Sequence, residues 1–174
     1  IPSIEVKLLM QALQESAFTD GLTGLYNRKF LEEHSKKLIP QAKRDNFNIG
    51  VLLLDMDHFK AVNDEYGHDI GDKVLKELSR ILNETLRESD VIIRYGGEEF
   101  IVLLVNIKTE EDALNVANKI REKVKENEID VYAGSKLRKT ISIGLSMFPQ
   151  DSNNFESVIK NADIALYEAK SKGR

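Results

Sequence analysis

The sequence predicts an α+β fold, in which a central, mostly antiparallel sheet of about five strands is flanked by helices. Apolar strand-like runs alternate with amphipathic helical segments in the order β-α-β-β-α-β-α. The runs at residues 91–95 and 100–105 enclose a Gly-Gly pair, which is typical of a tight two-residue hairpin between antiparallel strands. This hairpin favours a split βαβ arrangement over a doubly wound parallel sheet.

Helical patterns precede the first long strand. Apolar residues recur at helical spacing over residues 3–17, without an internal Gly or Pro, and a second helix is predicted for residues 27–42. Residues 20–24, Asp-Gly-Leu-Thr-Gly, break the pattern between them. We interpret residues 1–18 as a connector helix, the end of a signalling helix from an upstream region, and residues 19–174 as one globular domain.

The rest of the chain contains further strand and helix patterns. Residues 49–55 form a nearly continuous apolar run, as expected for a buried strand, and Gly71 is predicted to precede the next helix. Residues 128–139 look irregular, which leaves room for a small hairpin. Residues 140–147 alternate between apolar and polar side chains, which is a strand period.

Capping residues predict where the last helices begin. Thr109 with Asp112 resembles a capping box, which predicts a helix from that point through Val124. Asn153 is predicted to cap the last helix, whose apolar residues recur at helical spacing.

Composition narrows the possible function classes. A chain of 174 residues with 41% hydrophobic residues is long enough for one domain with a proper core. The net charge of −4 disfavours a protein that coats nucleic acid through phosphate contacts. The absence of cysteine excludes disulfides and thiolate metal sites, and it suits a reducing cytoplasm.

Neither a targeting signal nor a membrane segment is visible in the sequence. No apolar stretch approaches the ~20 residues that span a bilayer, so we expect a cytoplasmic segment without direct membrane contact. The chain begins without Met and stops directly after a helical pattern. We therefore expect a domain excised from a longer protein, whose other parts include sensor or membrane modules.

Paired acids at the ends of two predicted strands are the strongest functional signal. Asp55 and Asp57 follow one apolar run, and Glu98 and Glu99 follow the Gly-Gly pair. Alternate residues of a continuing strand share a face, whereas the adjacent glutamates point to opposite sides, so only one of them joins Asp55 in a ligand set. Each acid alone is better explained as a solvated strand end, but the set predicts a site for hard divalent cations. Two such ions can stabilise the attacking and leaving oxygens of an in-line displacement at phosphorus.

Candidate nucleotide contacts lie between the buried strand and the helix after it. The turn after Asp57 offers backbone N–H groups that bind phosphate, and Lys60 adds a positive charge. A carboxylate such as Asp72 can accept the adjacent N–H donors of guanine, and Asn63 can complement the remaining ring atoms. In the alternative, Asn63 caps a helix and Asp72 is an acid in its first turn.

Basic residues at two further places are candidate phosphate contacts. Lys170 and Arg174 share a face of the last helix, which matters only if that end of the helix faces the hairpin. Arg87 and Asp90 precede the hairpin, and Arg94 lies on its first strand. Arginine can clamp phosphates or stack on bases, but by themselves Arg87 and Asp90 are better explained as an ion pair within a helix.

Together these motifs resemble the GGDEF family, the diguanylate cyclase domains, over about residues 19–174. The matching blocks occur in order along the chain. They are DGLTGLYNR at 20–28, DMDHFK at 55–60, Asn63-Asp64, Gly67-His68, Gly71-Asp72, the signature GGEEF at 96–100, Ser142-Ile143-Gly144, Ala162-Asp163, YEAK at 167–170 and Gly173-Arg174. Glu98 gives the Glu variant of the signature, which keeps the carboxylate.

The resemblance implies a ferredoxin-like, nucleotide-cyclase palm fold and condensation of two GTP into cyclic di-GMP with release of pyrophosphate. Each protomer would hold one GTP, so catalysis would require a homodimer whose sites face each other. The implied cofactors are Mg²⁺ or Mn²⁺, two per active site. The implied controller is an upstream sensory domain.

The resemblance also implies roles for individual residues. The matching metal positions are Asp55, the Met56 carbonyl, Glu98 and Glu99, and the three acids among them are the catalytic residues. Asp57 matches a position that is not a main ligand. The guanine contacts fall on Asn63 and Asp72. The phosphate contacts fall on Phe59, Lys60, Lys170 and Arg174.

A product-inhibition site is implied at Arg87, Asp90 and Arg94. Where some members supply an arginine from the following helix, this chain offers Lys119. A lysine cannot make the bidentate hydrogen bonds to phosphate that an arginine makes. Two alternatives to an active cyclase are a non-catalytic sensor of GTP or cyclic di-GMP and a template-reading polymerase palm. The acidic net charge argues against the polymerase.

Overall fold

The structure is a computed structural model that describes residues 3–173. Its helices are α1 (Ile4–Phe18), α2 (Arg28–Asp45), α3 (Phe59–Tyr66), α4 (His68–Thr85), α5 (Glu110–Glu126) and α6 (Phe155–Ser171). Its strands are β1 (Tyr26–Asn27), β2 (Asn48–Met56), β3 (Val91–Arg94), β4 (Glu99–Ile107), β5 (Ile129–Asp130), β6 (Lys136–Leu137) and β7 (Ile141–Phe148).

One mixed sheet of five strands forms the centre of the domain, in the order β1-β3-β4-β2-β7. β1 runs parallel to β3, and the other pairings in this sheet are antiparallel. The predicted α+β fold with a mostly antiparallel sheet is therefore confirmed. β5 and β6 pair separately as a short antiparallel hairpin, as expected for the irregular segment at 128–139.

Helices cover both faces of the sheet, and the apolar side chains on both sides of β2 are buried against them. Leu52 and Leu54 belong to the core cluster that contains residues of α4 and α5. Val51 and Leu53 belong to the second cluster, with residues of α2 and α6. Alternate residues of a strand point to opposite faces, so the nearly continuous apolar run reflects a strand buried on both faces.

Side-chain caps fix the starts of the last two long helices. The Thr109 side chain accepts a hydrogen bond from the N–H of Asp112, which confirms the predicted start of α5. α6 is capped by Asn154, which accepts from the N–H of Ser157 at 3.3 Å, so the prediction of Asn153 is wrong by one residue. Two adjacent asparagines are equally good caps, and the sequence does not distinguish them.

The hairpin between β3 and β4 is wider than predicted. Residues 95–98 form the connection, and the N–H groups of Tyr95 and Gly96 both donate to the Glu99 carbonyl oxygen, at 2.8 and 3.1 Å. Neither Gly96 nor Gly97 has the positive φ that the tight two-residue turn requires, so that prediction is wrong. A Cβ at Gly97 would meet open space, so the glycines keep this loop free of side chains.

Two helices replace the single helix predicted after β2. α3 occupies the segment predicted as a phosphate-binding turn, and α4 begins before Gly71, which lies inside it rather than in front of it. Gly67 separates the two helices with a φ of 89°, a conformation that glycine adopts without the steric cost that a side chain brings.

α1 has no buried residue among its positions 4–18, all of which the structure describes. Its apolar residues Ile4, Leu8 and Leu9 are 76%, 60% and 61% exposed. A helix that exposes so much apolar surface suits the interpretation of this segment as a connector. Across residues 3–173, every helix is too short or too polar to cross a lipid bilayer.

Candidate active site

The candidate site lies where β2 and β4 end side by side at one edge of the sheet. Asp55 on β2 is directly opposite Glu99 on β4 in the antiparallel register. By strand alternation, Asp55 shares the face of Leu53, and Glu99 shares the face of Ile101. Both of these apolar residues belong to the cluster covered by α2 and α6. The two acids therefore lie on the same face of the sheet.

Asp55 is a buried acid whose two oxygens have different environments. One oxygen accepts a hydrogen bond from the Lys170 ammonium of α6 at 2.5 Å. The other is buried and has no hydrogen-bond partner within the described residues. Leaving a buried carboxylate oxygen unpartnered is costly, so this atom indicates a place for a cation.

Glu98 and Glu99 show that acids crowd at this edge. Burial, and after it the negative charge of Asp55, raises the pKa of Glu98, whereas Lys170 opposes the rise. Burial, Asp55 and Asp163 raise the pKa of Glu99 in the same way. Carboxylates that disfavour each other's ionised form are typical of a site that a cation completes.

The residues at this edge fit a hard divalent cation. Among residues 3–173, no group of three His, Cys, Asp or Glu side chains converges as a ready-made ligand cage. Mg²⁺ does not need such a cage, because it usually takes one or two carboxylates and fills its other positions with water and phosphate oxygens. Asp55, Glu98 and the Met56 carbonyl offer oxygen donors of that kind.

Asp57 is not part of this group, although the strand period predicted that it shares a face with Asp55. β2 ends at Met56, and the fully buried Asp57 carboxylate accepts hydrogen bonds from Thr140 at 2.6 Å and Ser142 at 2.7 Å. These partners fix the start of β7 against the end of β2. Asp57 therefore has a structural role, in agreement with the family pattern.

A cleft of about 650 Å³, here called the α3–α4 cleft, lies next to the hairpin and is lined in part by Glu98 and Glu99. It contains most of the predicted nucleotide contacts. Its lining residues are Phe59, Lys60, Asn63, His68, Asp72, Leu75, Arg94, Gly96, Gly97, Glu98 and Glu99. The sequence reading assigned no role to His68, although the Gly67-His68 motif contains it.

Asn63 and Asp72, the predicted guanine contacts, lie in this cleft on successive helices. The side-chain oxygen of Asn63 is buried and has no hydrogen-bond partner among the described residues. A Cβ on Gly71 would lie 1.9 Å from that oxygen. The absence of a side chain at Gly71 is therefore what allows Asn63 its position.

The predicted phosphate contacts fall into two places. Phe59 and Lys60 line the α3–α4 cleft at the start of α3, whereas Lys170 contacts Asp55. The end of α6 therefore does face the hairpin, as the prediction for Lys170 required. Arg174 lies outside the described residues.

Arg87 and Asp90 are close together, at a different place from the acids. Their side chains form an ion pair at 2.9 Å, and Arg87 also donates to the Val105 carbonyl at 2.9 Å. They line a recess of about 360 Å³, here called the Arg87 recess. Arg94 lines the α3–α4 cleft instead, and Lys119 does not belong to the described lining of the Arg87 recess.

Acids at the ends of adjacent central strands, beside a cleft suited to a nucleotide, define a domain of the nucleotide-cyclase type. The family model described as "Diguanylate cyclase, GGDEF domain" matches residues 17–174. The chain therefore belongs to the GGDEF family, and the resemblance found in the sequence is confirmed.

Known relatives agree with this assignment. The chain is 40% identical over 161 residues to the response regulator PleD of Caulobacter vibrioides, a match that covers 92% of this chain and 35% of PleD. The solved GGDEF domain of YfiN from Pseudomonas aeruginosa is 35% identical, with a TM-score of 0.85 and 90% of each chain covered. A structure of the coiled coil and GGDEF domain of DgcB from Caulobacter crescentus, in complex with c-di-GMP, is 28% identical, with a TM-score of 0.89 and 98% and 89% of the chains covered. The chain spans only 46% and 35% of the first two curated relatives that it matches.

Proposed function

We propose that this domain is a diguanylate cyclase, which condenses two GTP into cyclic di-GMP and releases pyrophosphate. Its membership of the GGDEF family supports this function. The observation that carries the proposal is the buried, unpartnered oxygen of Asp55 beside Glu98 and Glu99. A group of acids in which one buried oxygen lacks a hydrogen-bond partner is suited to binding divalent cations together with phosphate oxygens.

The residues that would hold Mg²⁺ or Mn²⁺, two per active site, are Asp55, the Met56 carbonyl, Glu98 and Glu99. When bound, such ions neutralise charge on the triphosphate and on the oxygens that attack and leave. Lys170 supports this role, because its ammonium already neutralises one oxygen of Asp55 at 2.5 Å. With a cation on the other oxygen of Asp55, Lys170 would be left to contact a phosphate oxygen.

The remaining cleft residues bind and orient GTP. Asp72 accepts the N–H donors on the guanine edge, and the unpartnered oxygen of Asn63 accepts a further N–H. Lys60 and the backbone at Phe59 hold phosphate at the start of α3, together with Arg174 from the end of the chain. Preorganised positioning of this kind carries most of the rate effect in phosphoryl transfer.

The proposed chemistry is an in-line displacement at the α-phosphate. The 3′-oxygen of one GTP forms a bond to the α-phosphorus of the other, the bond from that phosphorus to the bridging oxygen breaks, and pyrophosphate leaves with the bond's electrons. Glu99 accepts the proton of the attacking hydroxyl, a role that suits a carboxylate whose pKa is raised by burial and Asp55. Two such steps close the ring, so two protomers must face each other as a homodimer.

We further propose that cyclic di-GMP inhibits the enzyme through the Arg87 recess. Arg87 is 54% exposed and can fork onto a phosphate, while the Asp90 side chain, 2% exposed, holds it in place. Arg94 could join that site only by giving up its contacts with Asp20 and Gly97. The exposed apolar surface of α1 supports control by an upstream sensory domain, and we place the active domain in the cytoplasm.

The decisive experiment is chromatography of a reaction with GTP and Mg²⁺ over a range of protein concentrations. We expect cyclic di-GMP at a rate that rises faster than linearly with concentration, because two protomers must meet. Glu98→Ala and Glu99→Ala should abolish product, whereas the control Glu111→Ala, an exposed acid on α5, should not. Tight binding of GTP or cyclic di-GMP without product at any concentration would instead identify a non-catalytic sensor.

A further inference from the structure

Arg94 joins two parts of the chain that are far apart in sequence. One part is the turn that follows α1, represented by Asp20, and the other is the loop at 95–98 that carries Glu98. Arg94 and Asp20 form an ion pair at 3.1 Å with side chains that are 18% and 20% exposed. Most of the guanidinium is therefore committed to contacts within the protein.

The loop end of this contact is a single carbonyl group. Arg94 donates from Nη2 to the Gly97 oxygen at 2.8 Å and from Nε to the same oxygen at 3.3 Å. This carbonyl and the N–H of Glu98 belong to one peptide unit, which is planar. Fixing the Gly97 oxygen therefore fixes where the Glu98 side chain starts.

The loop needs such a contact because its own sequence leaves it free. Gly96 and Gly97 have no side chains and give the backbone wide conformational freedom. The N–H groups of Tyr95 and Gly96 are bound to the Glu99 carbonyl, which anchors the first half of the loop. The contact from Arg94 anchors the second half, next to Glu98.

The Asp20 end is held firmly. Its carboxylate accepts hydrogen bonds from the Thr23 N–H at 2.8 Å and the Thr23 hydroxyl at 2.7 Å, and its own N–H donates to the Leu25 carbonyl at 2.7 Å. Burial favours a higher pKa for Asp20, but the hydrogen bonds from Thr23 and Arg94 hold the pKa below its ordinary value. Asp20 thus stays ionised and keeps Arg94 in one orientation.

We propose that Arg94, held by Asp20, is a positioning residue that fixes the Gly97–Glu98 peptide so that Glu98 faces the α3–α4 cleft. Its effect on turnover rests on the proposed cyclase function, whereas its effect on the loop does not. A separate contact holds α1 near this turn, because the Asn27 side chain donates to the Ala17 carbonyl of α1 at 2.8 Å, three residues before Asp20.

Three variants and one control test this role. Arg94→Ala removes the contacts with both Asp20 and Gly97. Arg94→Lys keeps the charge, but a single ammonium group cannot contact both partners as the planar guanidinium does. Asp20→Asn removes the negative charge that orients Arg94. Arg80→Ala is the matched control, since Arg80 has two carboxylate partners at 2.8 and 3.0 Å on α4, away from the loop. All are compared at a temperature where each is fully folded.

The first measurement is amide hydrogen exchange, which does not depend on activity. We expect exchange at residues 96–99 to rise severalfold in the three variants and to stay unchanged in Arg80→Ala. A Mn²⁺ titration should show weaker metal binding in the same three variants. Unchanged exchange in Arg94→Ala would overturn the proposal, whether or not the wild type makes product.

The second measurement is GTP turnover with product removed by a phosphodiesterase, so that inhibition plays no part. We expect kcat to fall about 10- to 100-fold, since a misplacement of about 1 Å can cost about 100-fold, while KM changes less than about 3-fold. The double variant Arg94→Ala, Asp20→Asn should be no slower than Arg94→Ala, because the two residues act as one unit. A kcat equal to wild type, or additive losses, would overturn the proposal. An inactive wild type would instead refute the cyclase function and leave the exchange result to decide the role of Arg94.

Discussion

Gly71→Ala is the substitution whose effect the structure defines most sharply. The new Cβ would lie 1.9 Å from the Asn63 side-chain oxygen and 3.0 Å from its Cγ, whereas ordinary contact begins at 3.4 Å. The Asn63 oxygen must therefore retreat by about 1.5 Å. Because it is the far end of a flexible side chain, the side chain can rotate and the helices need not separate.

The expected effect falls on GTP binding more than on stability. Losing one hydrogen bond to guanine costs about 0.5–1.5 kcal/mol, which weakens binding about 2- to 12-fold. The overpacking cost of about 1–3 kcal/mol is offset by about 1 kcal/mol, because alanine favours the interior of α4 more than glycine does. We therefore expect the free energy of unfolding to fall by no more than about 2 kcal/mol.

Calorimetry with a non-hydrolysable GTP analogue and Mg²⁺ measures the first effect, and urea denaturation measures the second. The control is Gly71→Ala in an Asn63→Ala background, which removes the clash with Asn63 and leaves one close neighbour, the Phe59 ring at 3.3 Å. There the alanine should stabilise α4 by about 0.5–1 kcal/mol. Undiminished GTP binding by Gly71→Ala, or destabilisation that persists in the Asn63→Ala background, would show that the argument from this contact is wrong.

Further predictions concern packing, charge and the metal. Gly144→Ala would place a Cβ 2.0 Å from the Ala162 carbonyl oxygen and 2.4 Å from the Leu166 nitrogen, both backbone atoms, so unfolding in urea should show a loss of more than about 3 kcal/mol. The milder control is Gly50→Ala, whose nearest contact is a side-chain atom at 3.3 Å, and an equal loss in both would contradict this reasoning. Burial and Asp55 raise the pKa of Glu99 above its ordinary 4.5. Between the pKa of the unfolded chain and the raised pKa of the folded state, the metal-free folded state binds more protons than the unfolded chain. It therefore loses stability as the pH rises through that range. Glu99→Gln should therefore melt at a higher temperature than wild type at pH 7 and at the same temperature below about pH 4, and a lower melting temperature at pH 7 would reverse the sign of the argument. Lys170→Met leaves Asp55 buried without its ion-pair partner, so the free energy of unfolding should fall by about 3 kcal/mol. Mg²⁺ should then stabilise this variant by more than it stabilises the wild type. Equal gains from Mg²⁺ in both proteins would show that the cation does not bind at Asp55.

Features that depend on neighbouring residues could be predicted from the sequence. The continuous run of β2 and the Thr109 cap of α5 follow from period and capping chemistry, which act within a few residues. The resemblance to the family then indicated which of the acids belong to the site. The tight turn predicted at the Gly-Gly pair is wrong because two glycines can serve a positive φ or a place where no side chain fits. Only the three-dimensional structure distinguishes these two reasons, and it gives Gly96 and Gly97 no positive φ.

Features that depend on distant partners could not be predicted in this way. Asp57 lies next to the strand that carries Asp55, but its oxygens are bound by Thr140 and Ser142, 83 and 85 residues further along the chain. Arg94 is likewise oriented by a carboxylate 74 residues away. A single sequence contains no signal for such pairs, so their roles had to come from the resemblance or from the structure.

The stability of the acidic edge depends on the core that lies next to it. β2 carries Asp55 at its end, and it can tolerate a buried acid because its apolar residues are buried on both faces of the sheet. Lys170 relieves one oxygen of Asp55, and the other remains unpartnered. On the proposed function, a cation at the second oxygen would weaken the contact between Asp55 and Lys170 and leave Lys170 for a phosphate. Metal and GTP would then favour each other's binding through one lysine, and by linkage this coupling would be equal in both directions.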